Sequence, residues 1–210
     1  YDQDAHLRRI GRDTTDAASL LWSRDVEVPW GDPSDSPEID TVCGIGNRKN
    51  AVFESVLRSE GIAPYPGSLA LLDVLRDAGT RIAVVSSSKN AREVLTAAGI
   101  IDRFEVIMDG VIAERDGLAS KPAPDVFVEA AAMLGVDPAS SAAVEDALSG
   151  VRSAAAGGFA LVVGVDRGVG AEVLRDAGAH VVVSDLAEFL DGDGAGIPTA
   201  ALAPEPEESA

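Results

Sequence analysis

The chain has 210 residues, of which 46% are apolar, and this is enough for one full domain and a smaller one with a sizeable core. Its 35 acidic and 17 basic residues give a net charge of −18, which repels nucleic acid and anionic membranes unless the basic residues cluster. We therefore expect neither nucleic acid nor membrane as a partner, and a small anionic substrate would need a local basic pocket.

The single cysteine, Cys43, is predicted to be a small buried apolar residue, because no histidine or second cysteine accompanies it in a metal-ligand pattern. One cysteine excludes an internal disulfide and suits a reducing compartment. The chain has no apolar run long enough to span a membrane and no charged-then-apolar leader at Tyr1. The expected location is the cytoplasm.

Residues 1–63 are predicted to form a small helical domain. The segments AHLRRIGRDTTDAASLLWSRD and NRKNAVFESVLRSEGI carry apolar residues at helical spacing, and the connector PWGDPSDSPEID between them is rich in turn residues. At the other end, residues 191–210 are rich in Gly, Pro, Ala and Glu and have little to bury. We expect this segment to be a disordered tail.

Residues 64–190 are predicted to form an α/β core. Short apolar runs at residues 82–85, 142–144 and 161–163, and the later HVVV, alternate with segments of helical spacing. Continuous apolar runs are typical of strands that are covered on both faces of a parallel sheet. The alternation therefore predicts an open α/β fold with a parallel sheet.

Polar residues follow these runs. In open parallel sheets, ligands bind and functional residues lie at the carboxyl ends of the strands. The residues in question are Ser86, Ser87, Ser88, Lys89 and Asn90 after the first run, Glu145 and Asp146 after the second, and Asp166 after the third. Ser86 or Ser88 can donate to a phosphate oxygen beside the free N–H groups of a helix start. Glu145 and Asp146 offer the hard oxygen ligands that Mg²⁺ prefers.

Lys121, in the segment GLASKPAPDVF, stands between prolines and is a candidate for neutralising charge between an anionic nucleophile and a phosphoryl group. Each feature has a simpler interpretation by itself. A serine before a helix is often an N-cap, a Glu-Asp pair often only complements a helix dipole, and a loop lysine is often solvated. Their occurrence together, in this order, favours a phosphate and metal site.

The motifs VVSSSKN, SKPAPDVF and VEDALSG closely resemble, in order and separation, the second, third and fourth motifs of the haloacid dehalogenase superfamily. The helical segment before YPG, with NRKN and SSSKN, is most similar to the β-phosphoglucomutase-like members. This resemblance implies a Rossmann-like parallel-sheet core with a small α-helical cap. It also implies Mg²⁺-dependent phosphoryl transfer on a small phosphorylated metabolite, most simply a sugar phosphate, by a phosphatase or a phosphomutase.

The resemblance also implies roles for individual residues. Ser86 would bind the transferring phosphate, and Lys121 would bridge nucleophile and phosphate. Glu145 and Asp146 would hold the Mg²⁺. The residues that would seat the phosphate or face the substrate are Ser87, Ser88, Lys89 and Asn90 in the core and Arg48, Lys49 and Arg12 in the cap.

One departure from the family pattern leaves two hypotheses open. Family members begin with an apolar strand that ends in Asp-x-Asp-Gly, which carries the nucleophile and the general acid/base, and no such strand precedes the helical segment here. The first core strand is therefore expected to be missing from the sheet. The main hypothesis is an enzyme whose nucleophile motif lies upstream. The alternative is a non-catalytic protein that binds a phosphate or a partner.

Three other strings are interpreted as structural. FLDGDGAG places Asp191 and Asp193 in an Asp-Gly-Asp-Gly sequence, but the residues before it have helical spacing, and a solvated turn is simpler. GVDRGVG has the wrong glycine spacing for a dinucleotide fingerprint. His6 and His180 have no nucleophile at a recognisable turn, and His180 starts a strand. We therefore expect neither a nicotinamide enzyme nor a hydrolase triad.

Overall fold

The computed structural model describes residues 28–190, which form parts of two compact units. The described parts of the first unit are residues 28–63, 86–101 and 109–116, and those of the second are residues 64–85, 102–108 and 117–190. Arg12, His6, Asp191 and Asp193 lie outside the described residues, as do the first predicted helix and the predicted tail. The assignment of residues 1–63 to a cap domain stays a prediction.

Helices and parallel strands alternate along most of the described chain. The helices are α1 (Val42–Glu60), α2 (Pro66–Asp77), α3 (Ala91–Ala97), α4 (Gly110–Arg115), α5 (Asp125–Leu134), α6 (Leu148–Ala156) and α7 (Ala171–Asp176). The strands are β1 (Ala83–Val85), β2 (Val106–Met108), β3 (Ala142–Glu145), β4 (Leu161–Val165) and β5 (Val181–Val183). Short 3₁₀ turns lie at Ile101–Arg103, Pro138–Ser140 and Leu186–Phe189.

Helix α1 is the main element of the first unit, and its two ends follow ordinary capping rules. Thr41 is the N-cap, and its side-chain oxygen accepts a hydrogen bond from the Gly44 N–H at 2.9 Å. Gly61 ends the helix with φ 69° and ψ −166°, a conformation outside the αL region that glycine adopts because it has no Cβ, and its N–H donates to the Leu57 carbonyl oxygen. Cys43 is buried in the first turn, which confirms its interpretation as a small buried residue.

The strands of the second unit form two parallel sheets. In one sheet β1 pairs with β2, and in the other β4 lies between β3 and β5. Within residues 28–190, β4 has a strand on each side, and the other four strands each have a strand on one side only. The position of a missing first core strand stays a prediction.

The prediction that the strands are covered on both faces is right for β4 and wrong for β3. All five residues of β4 are buried, whereas β3 alternates, and Val144 is 41% exposed. The physical reason is that successive side chains of a strand point to opposite faces, and the face of β3 that carries Ala142 and Val144 is left uncovered by the described residues. β1 is half-buried along its whole length, whereas β2 beside it is fully buried.

The core lies around β4 and β5 and under the helices that follow the strands. Leu161, Val163, Val165 and Val183 are buried together there, with Phe189 packed against them. Helix α5 packs on β1 and β2, α6 on β3 and β4, and α7 on β4 and β5. These helices fix the strand ends at which the candidate site residues lie. In the described part of the chain, no helix combines the length and apolar character needed to cross a bilayer.

Candidate active site

Lys121 is a buried lysine, 8% exposed, in the loop before α5. Its ammonium nitrogen Nζ forms an ion pair with Oε1 of Glu145 and donates to the carbonyl oxygen of Val85 at 3.3 Å. The same nitrogen lies 4.8 Å from the centroid of the Phe127 ring. Val85 ends β1 and Glu145 ends β3, so Lys121 links the carboxyl ends of these two strands.

The loop that carries Lys121 is held by hydrogen bonds on both sides. The Ala123 N–H donates to the Ser120 carbonyl oxygen at 3.0 Å, and the hydroxyl of Ser153, which is fully buried on α6, donates to the Ala123 carbonyl oxygen at 2.6 Å. The Ala119 N–H donates to the Asp125 carboxylate at 3.1 Å. Burial and the ion pair exclude the interpretation of Lys121 as a solvated loop residue.

Both carboxylate oxygens of Glu145 are engaged. Oε1 pairs with Lys121, and Oε2 accepts hydrogen bonds from the N–H groups of Asp146 at 3.1 Å and Ala147 at 3.2 Å. Gly150, in the first turn of α6, leaves room for this carboxylate, because a Cβ there would lie 2.0 Å from Cδ of Glu145. Position 150 therefore requires glycine, because a side chain there would collide with the Glu145 carboxylate.

Asp146 is exposed at the start of the loop between β3 and α6. Within residues 28–190, no group of three or more His, Cys, Asp or Glu side chains is arranged to hold a metal ion. Mg²⁺ is commonly held by only one or two carboxylates, together with phosphate oxygens and water. Asp146 has the exposed carboxylate that such a site needs, whereas Glu145 is already bonded to Lys121 and to backbone N–H groups. The roles of Glu145 and Asp146 as Mg²⁺ ligands stay predictions.

Residues 86–90, which we call the serine loop, follow β1 directly. The Ser88 N–H donates to Oγ of Ser86, and the Asn90 N–H donates to Oγ of Ser88, each at 3.1 Å. Such short-range bonds are typical of serine turns. The N-cap of α3 is Asn90, so the interpretation of Ser86 or Ser88 as the N-cap of this helix is wrong.

The other polar groups of the serine loop also have partners in the first unit. Nζ of Lys89 pairs with Oε2 of Glu114 on α4 at 2.5 Å. The side-chain amide of Asn90 donates to Oδ1 of Asn50 on α1. Ser87 is exposed. The predicted contacts of Ser87, Lys89 and Asn90 with a phosphate stay predictions.

Arg48 and Lys49 lie on α1, one turn or less before Asn50, and both are exposed. Arg48 pairs with Asp40 at 2.8 Å, an ion pair open to solvent. Exposed pairs of this kind contribute little to stability, so Arg48 can exchange Asp40 for an anionic ligand at small cost. Their role in facing the substrate stays a prediction.

The sequence analysis missed Asp109 and Gly110, which follow β2 and begin α4. The Asp109 side chain is 2% exposed, and its Oδ1 accepts hydrogen bonds from the N–H groups of Val111 at 3.0 Å and Ile112 at 2.9 Å. Its Oδ2 accepts a bond from Nε of Arg92 at 3.1 Å. The signal was present as VIMDG, a short apolar run followed by Asp-Gly.

Asp166 and His180 have structural roles. Oδ1 of Asp166 accepts hydrogen bonds from the N–H groups of Gly170 at 3.0 Å and Gly168 at 2.9 Å, and these bonds, the first more than the second, lower the pKa of the carboxyl group. Nδ1 of His180 accepts the Val162 N–H at 2.8 Å. The His180 N–H donates in turn to the Val162 carbonyl oxygen at 2.8 Å, which confirms that this histidine supports the strand start.

Comparison with known proteins gives a consistent result. A model of the haloacid dehalogenase-like hydrolase family matches residues 29–158. The β-phosphoglucomutase of Mycobacterium bovis is 46% identical over 192 residues, which cover 89% of this chain and 73% of that protein.

Two solved structures share the fold. The β-phosphoglucomutase from Clostridium difficile matches with a TM-score of 0.65 at 27% identity, over 88% of this chain and 75% of that one. CbbY from Rhodobacter sphaeroides, a mutant solved in complex with xylulose-(1,5)bisphosphate, matches with a TM-score of 0.66 at 26% identity, over 94% of this chain and 84% of that one. The predicted α/β fold with parallel sheets is thereby confirmed.

Proposed function

We propose that this enzyme transfers a phosphoryl group to or from a small sugar phosphate, since the chain belongs to the haloacid dehalogenase-like hydrolase family and, within it, to the β-phosphoglucomutase-like subgroup. The observation that supports the proposal is the buried contact of Lys121 with Glu145 and Val85 at the carboxyl ends of β3 and β1. Ligands of open parallel sheets bind at the carboxyl ends of the strands.

Lys121 supplies fixed positive charge in this proposal. In the phosphoryl transfer proposed here, an aspartate carboxylate attacks phosphorus in line, and the bond to the leaving oxygen breaks as the new O–P bond forms. Water or a sugar hydroxyl then takes the phosphoryl group from the aspartate. Negative charge spreads over the equatorial phosphate oxygens, which a preorganised ammonium group stabilises. The contacts of Lys121 with Glu145 and Val85 orient this ammonium group before the substrate arrives.

We assign the remaining groups by their chemistry. Ser86, directly after β1, donates its hydroxyl to the transferring phosphate, and the rest of the serine loop seats the same group. Asp146 would hold Mg²⁺, which when bound neutralises phosphate charge. The nucleophile is an aspartate of the family's first motif, which does not occur before α1 in this sequence.

The sugar-phosphate substrate is supported by the name of the 46% identical relative and by the bisphosphate bound to CbbY. Arg48 and Lys49 on α1 are basic residues that suit an anionic substrate in a chain with net charge −18. A phosphatase is the second candidate, because the matching family is described as hydrolase. The two candidates differ in whether water or a sugar hydroxyl receives the phosphoryl group.

A phosphorus NMR time course on a panel of hexose and pentose phosphates, with and without Mg²⁺, tests the proposal. It compares the 210-residue chain with the chain carrying whatever its gene encodes before Tyr1. A mutase converts one phosphate position of the sugar into another, whereas a phosphatase releases inorganic phosphate. We expect Mg²⁺-dependent turnover in the chain that contains the nucleophile motif. A full-length product that folds and converts no member of the panel would contradict the proposal and favour a binding protein.

A further inference from the structure

Gly110 approaches the serine loop so closely that no side chain fits between them. A Cβ at this position would lie 2.5 Å from the Ser87 carbonyl oxygen and 3.2 Å from the backbone nitrogen of Lys89. The Gly110 N–H also donates to the Ser88 carbonyl oxygen at 3.1 Å. The φ of Gly110 lies outside the left-handed region, so the requirement for glycine here is one of space.

Asp109 fixes the residue that makes this approach. Its buried carboxylate caps the first turn of α4 through the Val111 and Ile112 N–H groups, and Arg92 on α3 donates to its other oxygen. A carboxylate that accepts backbone N–H groups at a helix start stabilises that start. Since Gly110 is the next residue, its position against the serine loop depends on this cap.

A second contact between α4 and the serine loop is weaker. Lys89 and Glu114 form an ion pair at 2.5 Å, but more than half of each side chain is exposed. Solvent-exposed pairs contribute little, because water screens them and both side chains lose freedom. The loop is therefore held from this side mainly by the backbone contacts of Gly110.

We propose that Asp109 and Gly110 are positioning residues, which set the conformation in which the serine loop binds the phosphate. This inference rests on the proposed assignment of that loop to phosphate binding. Neither residue contacts the phosphate. They act through the Ser87 and Ser88 carbonyl groups, whose positions determine where the Ser86 and Ser88 hydroxyl groups lie. A misplacement of about 1 Å in a binding group can cost on the order of 100-fold in rate.

Gly110→Ala is the direct test, with Val111→Ala as its control in the same helix. Val111 is exposed, so its truncation leaves the serine loop in place. The readout is the dissociation constant of inorganic phosphate in the presence of Mg²⁺, measured by titration calorimetry on the full gene product. Losing one hydrogen bond to a charged group weakens binding by about tenfold or more, so we expect Gly110→Ala to weaken phosphate binding by at least that factor and Val111→Ala by less than about twofold.

Two variants of Asp109 distinguish a role in positioning the serine loop from a general role in stability. Asp109→Asn keeps an oxygen that caps α4, whereas Asp109→Ala removes it. We expect phosphate binding to be weakened in the alanine variant and largely restored in the asparagine variant, in titrations made well below the unfolding midpoint of each. If Asp109→Ala lowers that midpoint and leaves the dissociation constant unchanged, Asp109 is only structural and its positioning role is wrong.

Ser86→Ala distinguishes this inference from the proposed function. If Ser86→Ala weakens phosphate binding and Gly110→Ala does not, the positioning role fails while the phosphate site stands. If Ser86→Ala has no effect, or the wild-type protein binds no inorganic phosphate, the serine loop is not the phosphate site and both proposals fail. Weakening in both variants, with Val111→Ala unchanged, supports the positioning role.

Discussion

Lys121 and Glu145 form an ion pair that is almost enclosed, with 7% of the lysine side chain and 11% of the glutamate side chain exposed. Burying two charges is costly, and their attraction repays the cost only when the remaining polar atoms are also bonded. Glu145 meets this condition through the Asp146 and Ala147 N–H groups, and Lys121 meets it in part through the Val85 carbonyl oxygen. The pair thus holds an ammonium group in a fixed place.

Removing one partner of this pair should destabilise the protein. In Lys121→Met the Glu145 carboxylate loses its counter-charge, and we expect the free energy of unfolding to fall by about 3 kcal/mol. The double variant Lys121→Met with Glu145→Gln should be more stable than the sum of the two single changes predicts. Urea unfolding of the four proteins measures this coupling. Additive effects would show that the two side chains do not interact.

Gly150→Ala should disturb Glu145 without changing any charged residue. The added Cβ would occupy the space of the Glu145 carboxylate, and overpacking of this kind costs about 1–3 kcal/mol. The better helix propensity of alanine, about 1 kcal/mol, offsets part of this cost. Arg152→Ala is the control, because Arg152 is exposed on the same helix. An unfolding midpoint of Gly150→Ala that is not below that of Arg152→Ala would contradict the role of Gly150.

Cys43 should react slowly with alkylating reagents in the folded protein. Burial, followed by the negative charges of Asp35 and Asp32, raises the pKa of its thiol group. The thiolate is the reactive form, so both its low population and its burial protect the residue. Mass spectrometry after iodoacetamide treatment at about pH 8 should find Cys43 unmodified in buffer and modified in urea. Rapid labelling in buffer would mean that the first turn of α1 opens readily.

Asp166 should make the stability of its loop depend on pH. Its pKa is lowered from the usual 3.8, first by the Gly170 N–H and next by the Gly168 N–H. A lowered folded-state pKa contributes stability above the ordinary value, and this contribution is lost as the pH falls through the folded-state pKa. The difference in unfolding free energy between wild type and Asp166→Asn should therefore shrink below about pH 4. A constant difference at every pH would contradict this role.

The rule that functional residues directly follow the strands of a parallel sheet predicted part of the site from sequence, because it depends only on local patterns. β1 ends at Val85, immediately before Ser86, and β3 ends at Glu145. The same rule missed Asp109 and Gly110, because the run of β2, only three residues long, was not recognised as a strand.

Two features could not be predicted because they depend on contacts between distant segments. Lys121 and Glu145 are 24 residues apart, and nothing in either motif indicates that the glutamate pairs with the lysine. The exposure of Val144 likewise depends on which elements cover its face of β3, and the sequence pattern of β3 is the same whether that face is covered or not. Contacts between distant segments decide both features.

If the Lys121 ammonium group stabilises charge during phosphoryl transfer, its loss should lower turnover, and the most direct test is the turnover of Lys121→Met. The assay uses the full gene product with Mg²⁺ and the best sugar phosphate of the panel, below the unfolding midpoint of the variant. Arg152→Met, which removes an exposed positive charge from α6, is the control. We predict that kcat falls by about 100-fold to 1,000-fold in Lys121→Met and stays near the wild-type value in the control. Wild-type kcat in folded Lys121→Met would contradict the claim.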